Sequence, residues 1–117
     1  MLKIANIYKL LGNNTKALSF YDKIITIDKD CTDAYFNQGL VYANQKDYSE
    51  AIKCFEKVIQ LSPENPYAYY SLALTYELES NVDKALEYYY LYIGLESDQK
   101  MLNIVNSKIK QLEAEKK

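Results

Sequence analysis

The chain has 117 residues, 49% hydrophobic and 26% charged, with a net charge of −2. That is the make-up of one soluble globular domain, without the basic footprint of a nucleic-acid or anionic-membrane binder. Histidine is absent, all 14 basic residues are Lys, and Cys31 and Cys54 are the two cysteines. These facts exclude Ser-His-Asp and Cys-His nucleophile systems, guanidinium capture of anions, a disulfide framework and a zinc site.

Taken in chain order, the predicted elements are all helices. The first spans 2–11, and its opening, Met1 to Tyr8, is too interrupted by polar residues for a signal peptide. The second spans 14–27 after Asn13, an N-cap, and carries Ala17, Tyr21 and Ile24 on one face. The third spans 32–45, where Tyr35, Gln38, Gly39 and Tyr42 recur at i, i+3, i+4, i+7. The fourth spans 48–61 after Asp47, with Glu50 at the capping-box position and Ala51, Phe55, Val58 and Leu61 on one face. The run Ser62-Pro63-Glu64-Asn65-Pro66 is the strongest loop signal, and it leads into a fifth helix over 66–79 with Asn65 as N-cap and Pro66 at the first helical position. A sixth helix spans 82–95 after Asn81, and a seventh spans 98–114 with the stripe Leu102, Val105, Ile109 and Leu112. No apolar run approaches the ~20 residues of a membrane span. Short connections make neighbouring helices antiparallel.

The helices repeat with a period of 34 residues. Stepping by that period aligns Tyr8, Tyr42 and Tyr76; Ala17, Ala51 and Ala85; Tyr21, Phe55 and Tyr89; and the N-caps Asn13, Asp47 and Asn81. Small residues at Ala5, Gly39 and Ala73 face the alanines of the second helix, so each pair can approach closely, with an aromatic ring filling the space beside them.

These columns resemble the tetratricopeptide repeat family. Residues 32–65 carry Tyr35, Gln38-Gly39, Tyr42, Ala51, Phe55 and Pro63 at the family's offsets; residues 66–99 carry Tyr69, Leu72-Ala73, Tyr76, Ala85 and Tyr89; and residues 1–31 carry Ile4-Ala5, Tyr8, Ala17 and Tyr21. Gln38 stands at a usual Leu position and Tyr92 at a usual Ala position. The resemblance implies a single domain over 1–117: an α-solenoid of three antiparallel helix pairs, about 1–31, 32–65 and 66–99, plus a seventh helix that caps the last apolar face. It also implies a concave surface lined by the first helix of each pair. On it fall Asn6, Lys9, Phe36, Asn37, Leu40, Tyr67, Tyr70, Ser71 and Leu74, an apolar and aromatic strip with an amide and lysine rim, suited to a peptide.

Chaperone-binding members of that family grip a terminal carboxylate with two Asn and three cations. Asn6 and Asn37 match the two Asn, but Leu2, Tyr67 and Ser71 stand at the cationic positions, which argues against such a clamp. The run Tyr88-Tyr89-Tyr90-Leu91-Tyr92 reads as core plus partial exposure, and Asp28, Asp30 and Asp33 as a solvated turn, since the Gly and Glu of a calcium loop are missing.

The expected function is a cytoplasmic protein–protein interaction module, a scaffold or adaptor that is not an enzyme. It takes a protein or peptide partner and no nucleic acid, membrane, metal or cofactor. The alternative is a structural unit of a longer solenoid, or a weak homodimer, assembled through an N-terminal face that no helix caps.

Overall fold

The computed structural model describes residues 1–116 and places seven α-helices among them, with no strand. They are α1 (Leu2–Leu10), α2 (Asn14–Ile27), α3 (Thr32–Asn44), α4 (Tyr48–Leu61), α5 (Pro66–Leu78), α6 (Val82–Leu95) and α7 (Gln99–Lys116). The chain has an all-α helical-repeat fold, and it divides into two compact units, Met1–Pro63 and from Glu64 onward, at the Pro-rich loop.

The helix starts follow the capping chemistry. The side chains of Asn13, Asp47 and Asn81 accept from the backbone N–H three residues on, Lys16, Glu50 and Lys84, and Asn65 accepts from Tyr67 N–H at 3.0 Å. The ends of α1, α3 and α5 come one residue earlier than the periodicity predicts. Leu11, Gln45 and Glu79 form the C-caps, and the next residue in each repeat turns left-handed: Gly12 at φ +79°, Lys46 at φ +65° and Ser80 at φ +63°. Only the first repeat uses glycine there. A side chain in this region is strained, so Lys46→Gly and Ser80→Gly should each raise stability by ~1 kcal/mol, about 4 °C in Tm by calorimetry. The matched Gly12→Ala should lower it.

In the first unit, Ala5, Ala17, Tyr21, Ile24, Ala34 and Val41 form one buried cluster, while Ala51, Phe55 and Val58 close the α3–α4 pair. Gly39 shows why the small column matters: a Cβ there would lie 2.7 Å from the Phe55 ring. Gln38, in a Leu column, is buried and satisfied. Its amide donates to Asp22 Oδ1 at 2.7 Å and its carbonyl accepts from the Cys54 thiol at 3.4 Å. Burial pushes that thiol up to about 12. At pH 8 Cys54 therefore stays protonated and buried, whereas Cys31 lies half-buried in a connection. A thiol-specific disulfide reagent at pH 8 should titrate one cysteine in the native protein and the second only on unfolding. Two fast thiols would contradict this packing.

In the second unit the core is Ala73, Ala85, Leu86, Tyr89, Tyr92, Val105, Ile109 and Leu112, so α7 completes it with three of its stripe residues. The connection into α7 is tied by Glu96, whose carboxylate accepts from Tyr92 Oη at 2.8 Å and from the backbone N–H of Ser97 and Asp98. Those bonds hold Glu96 below the usual carboxylate range. Among the described residues, no helix is long and apolar enough to cross a membrane.

Candidate functional site

The candidate residues divide between the two units. In the first, Asn6 and Lys9 come from α1, one turn apart, and Phe36, Asn37 and Leu40 from α3; all five are half-buried. Their side chains are already engaged. Lys9 Nζ donates to Asn37 Oδ1 at 2.6 Å, and Asn37 Nδ2 donates to the Asp33 carbonyl at 2.8 Å. The partial burial of Lys9 lowers its pKa. Asn6 Oδ1 accepts the hydroxyl of Tyr21, a fully buried ring whose pKa burial pushes up to about 12. The amide oxygens of both asparagines therefore serve the fold, and their NH₂ groups keep donor capacity for a ligand: Asn37 has one N–H beyond its bond to Asp33. The Phe36 ring lies 5.6 Å from the Phe55 ring, tilted by 57°. It anchors α3 to α4 and stays half-exposed.

In the second unit, α5 carries Tyr67, Tyr70, Ser71 and Leu74. Tyr67 is 64% exposed, at the start of the helix. Tyr70 is half-buried, with its ring 5.2 Å from Tyr92 and 6.2 Å from Tyr89, and Leu74 packs against the same core. Ser71 is buried, and its carbonyl accepts from the Thr75 hydroxyl at 2.7 Å, so its side chain is no surface group. Phe36 and Tyr70 thus also serve packing, which the repeat register alone does not reveal.

The pairing of Glu77 with Lys108 at this surface is not visible in the repeat period. Glu77 Oε1 accepts from the buried Tyr89 hydroxyl at 2.7 Å and pairs with Lys108 Nζ at 3.3 Å, joining α5, α6 and α7. Burial and the Glu77 bond both raise the Tyr89 pKa. The only signal in the sequence is that a Tyr in the Phe55 column needs an acceptor that Phe55 does not. Asn6 supplies it for Tyr21, and Glu77 for Tyr89.

A competing surface on the first unit is an open depression of about 780 Å³ along α2, lined by Leu18, Ser19, Asp22 and Thr26 with Met1 and Tyr42. No group of three or more His, Cys, Asp or Glu among the described residues could hold a metal ion.

Family models described as tetratricopeptide repeat match residues 1–31, 32–65 and 54–87, the first two in the frame of the helix pairs. Curated protein sequences give no significant match. Among solved structures, the Yersinia enterocolitica type III secretion chaperone SycD in complex with a peptide of the translocator YopD is similar at TM-score 0.92, with 13% identity over 99% of this chain and 92% of that one. The first tetratricopeptide domain of Spaghetti (RPAP3), bound to the HSP90 peptide SRMEEVD, is similar at TM-score 0.86, with 16% identity over 97% of this chain and 87% of that one. YrrB, described as having an unusual peptide-binding site, is similar at TM-score 0.82, with 25% identity over 98% of this chain and 58% of that one.

Proposed function

The chain belongs to the tetratricopeptide repeat family, and from that premise we propose that it is a protein-interaction module without chemistry of its own, which holds a peptide segment of a partner on the faces of its first helices. The observation that carries the reading is the side-chain set on α1, α3 and α5. Half-exposed Phe36 and Leu40 stand beside the amides of Asn6 and Asn37 on one unit, and an exposed Tyr67 stands above Tyr70 and Leu74 on the other. Rings and aliphatic side chains supply contact area, and amide N–H groups bond a peptide backbone. The peptide complexes of SycD and RPAP3 support the same use of a similar fold.

Display selection of a peptide library on the wild-type chain tests the proposal. An enriched sequence should bind with rings or aliphatic side chains as anchors. Tyr67→Ala should weaken it by roughly tenfold or more with an unchanged Tm, because Tyr67 projects from the helix start into solvent. Asn37→Ala should weaken it too, with a small loss of stability from the freed Lys9. A peptide ending in a free carboxylate, as in a chaperone tail, should bind poorly, since Leu2, Tyr67 and Ser71 provide no cation. Enriched peptides that bind Tyr67→Ala and Asn37→Ala like wild type would contradict the assignment.

A further inference from the structure

The most conspicuous apolar surface in the chain lies on α1. Ile4 is 47% exposed, Ile7 54%, Leu10 82% and Leu11 74%. The repeat frame shows how unusual this is. Ile4 and Ile7 occupy the columns of Gln38 and Val41 in α3 and of Leu72 and Thr75 in α5, and all four of those residues are buried. Leu11 occupies the column of Gln45 and Glu79, which are polar and exposed. Ile4 and Ile7 are exposed where their counterparts are buried, and the Leu at 11 does not follow from the repeat pattern at all. It carries the stripe on into the column where the other two repeats are polar, so this face is furnished for burial.

We infer that the exposed face of α1 is the interface of a two-fold symmetric homodimer, in which α1 packs antiparallel on α1 of a second copy across Ile4, Ile7 and Leu11. The spacing suits that arrangement. With the axis at Ile7, Ile4 of one copy meets Leu10 and Leu11 of the other, and the stripe is self-complementary, as a two-fold contact requires. Lys3, four residues before Ile7, lies near the carbonyl end of the partner's α1, but Lys9 already sits in that last turn and α1 carries no acidic residue, so the contact rests on the apolar stripe and not on charge. The stripe with Met1 offers on the order of 600 Å² per copy, near the low end of specific interfaces at ~1,200 Å² in total, which makes the dimer weak and reversible.

Sedimentation equilibrium of the full chain from micromolar to several hundred micromolar tests this inference independently of peptide binding. Wild type should pass from monomer to twice the monomer mass. Ile7→Glu should weaken dimerisation at least tenfold at unchanged helicity and Tm. Leu11→Gln, which installs the residue that the second repeat carries at this column, should weaken it less and cannot be blamed on misfolding. In a Cys31→Ser background, Ile7→Cys should form a disulfide-linked dimer on oxidation, and Lys16→Cys should not. A wild type that stays monomeric over the whole range would assign the face to something other than a second copy and overturn the inference. Dimerisation unaffected by Ile7→Glu, or Lys16→Cys cross-linking as well as Ile7→Cys, would overturn it equally.

Discussion

Removing α7 should abolish the folded state of the second unit. Without residues 98–117 the ring of Tyr92 and the side chain of Leu86 face water, and the burial of Val105, Ile109 and Leu112 is lost. Three buried aliphatic side chains contribute up to roughly 1.5–3 kcal/mol each, so the loss is comparable with the ~5–15 kcal/mol that holds a domain of this size together. The Lys108–Glu77 pair goes with them, leaving Glu77 to the Tyr89 hydroxyl alone. The truncated chain should show reduced helicity, bind a hydrophobic dye or aggregate. Ile109→Asp should act in the same direction in the full-length chain, by burying a charge without a partner. A truncated protein that melts cooperatively at the wild-type temperature would show that α7 is no part of this core.

The second large effect is expected at Phe55. Its ring is 1% exposed and fills the space that Gly39 leaves between α3 and α4. Phe55→Ala should cost about 3–5 kcal/mol through the cavity it opens. Enlarging the facing side should also destabilise. Ala51→Leu, at a fully buried helix contact, should cost about 1–3 kcal/mol by overpacking. Gly39→Ala should follow it, because the new Cβ would meet the Phe55 ring at 2.7 Å. Replacing both Gly39 and Phe55 separates the two causes, since the Ala at 39 then finds room where the ring was. If chemical denaturation gave equal stabilities for Phe55→Ala and wild type, the register of the α3–α4 pair would be wrong.

Much of the fold is legible in the sequence for reasons the structure makes concrete. The N-caps Asn13, Asp47 and Asn81 recur at one column because each accepts the same orphan N–H at the start of a second helix. The alanine column recurs because Ala17, Ala51 and Ala85 are all fully buried where two helices touch. The early ends of α1, α3 and α5 are hidden because only Gly12 advertises the left-handed turn, and Lys46 and Ser80 adopt it without an intrinsic preference. The candidate site is legible only in part. Periodicity places Asn6, Asn37, Phe36 and Tyr70 on a helix face, but it carries no information on long-range partners. Tyr21 lies fifteen residues from Asn6, and Lys9 twenty-eight from Asn37. The role of Asn6 as acceptor for a core hydroxyl is visible only once α1 and α2 are packed. Gln38 is the converse case. A polar residue in a Leu column reads as a departure, and it proves to be satisfied by Asp22 and Cys54, neither of which belongs to the repeat signature.

The peptide surface is proposed on the first helices of each unit taken by itself, α1 and α3 in one and α5 in the other. Backbone amide chemical shifts of the labelled protein, titrated with a peptide selected on the wild type, test it most directly. The largest shifts are expected at Asn6, Lys9, Asn37 and Leu40 or at Tyr67 and Leu74, with the Lys9–Asn37 bond exchanged for contacts to the peptide. Shifts concentrated instead along α2, at Leu18, Asp22 and Thr26, would move the binding surface to the second helix of the first pair and contradict the proposal.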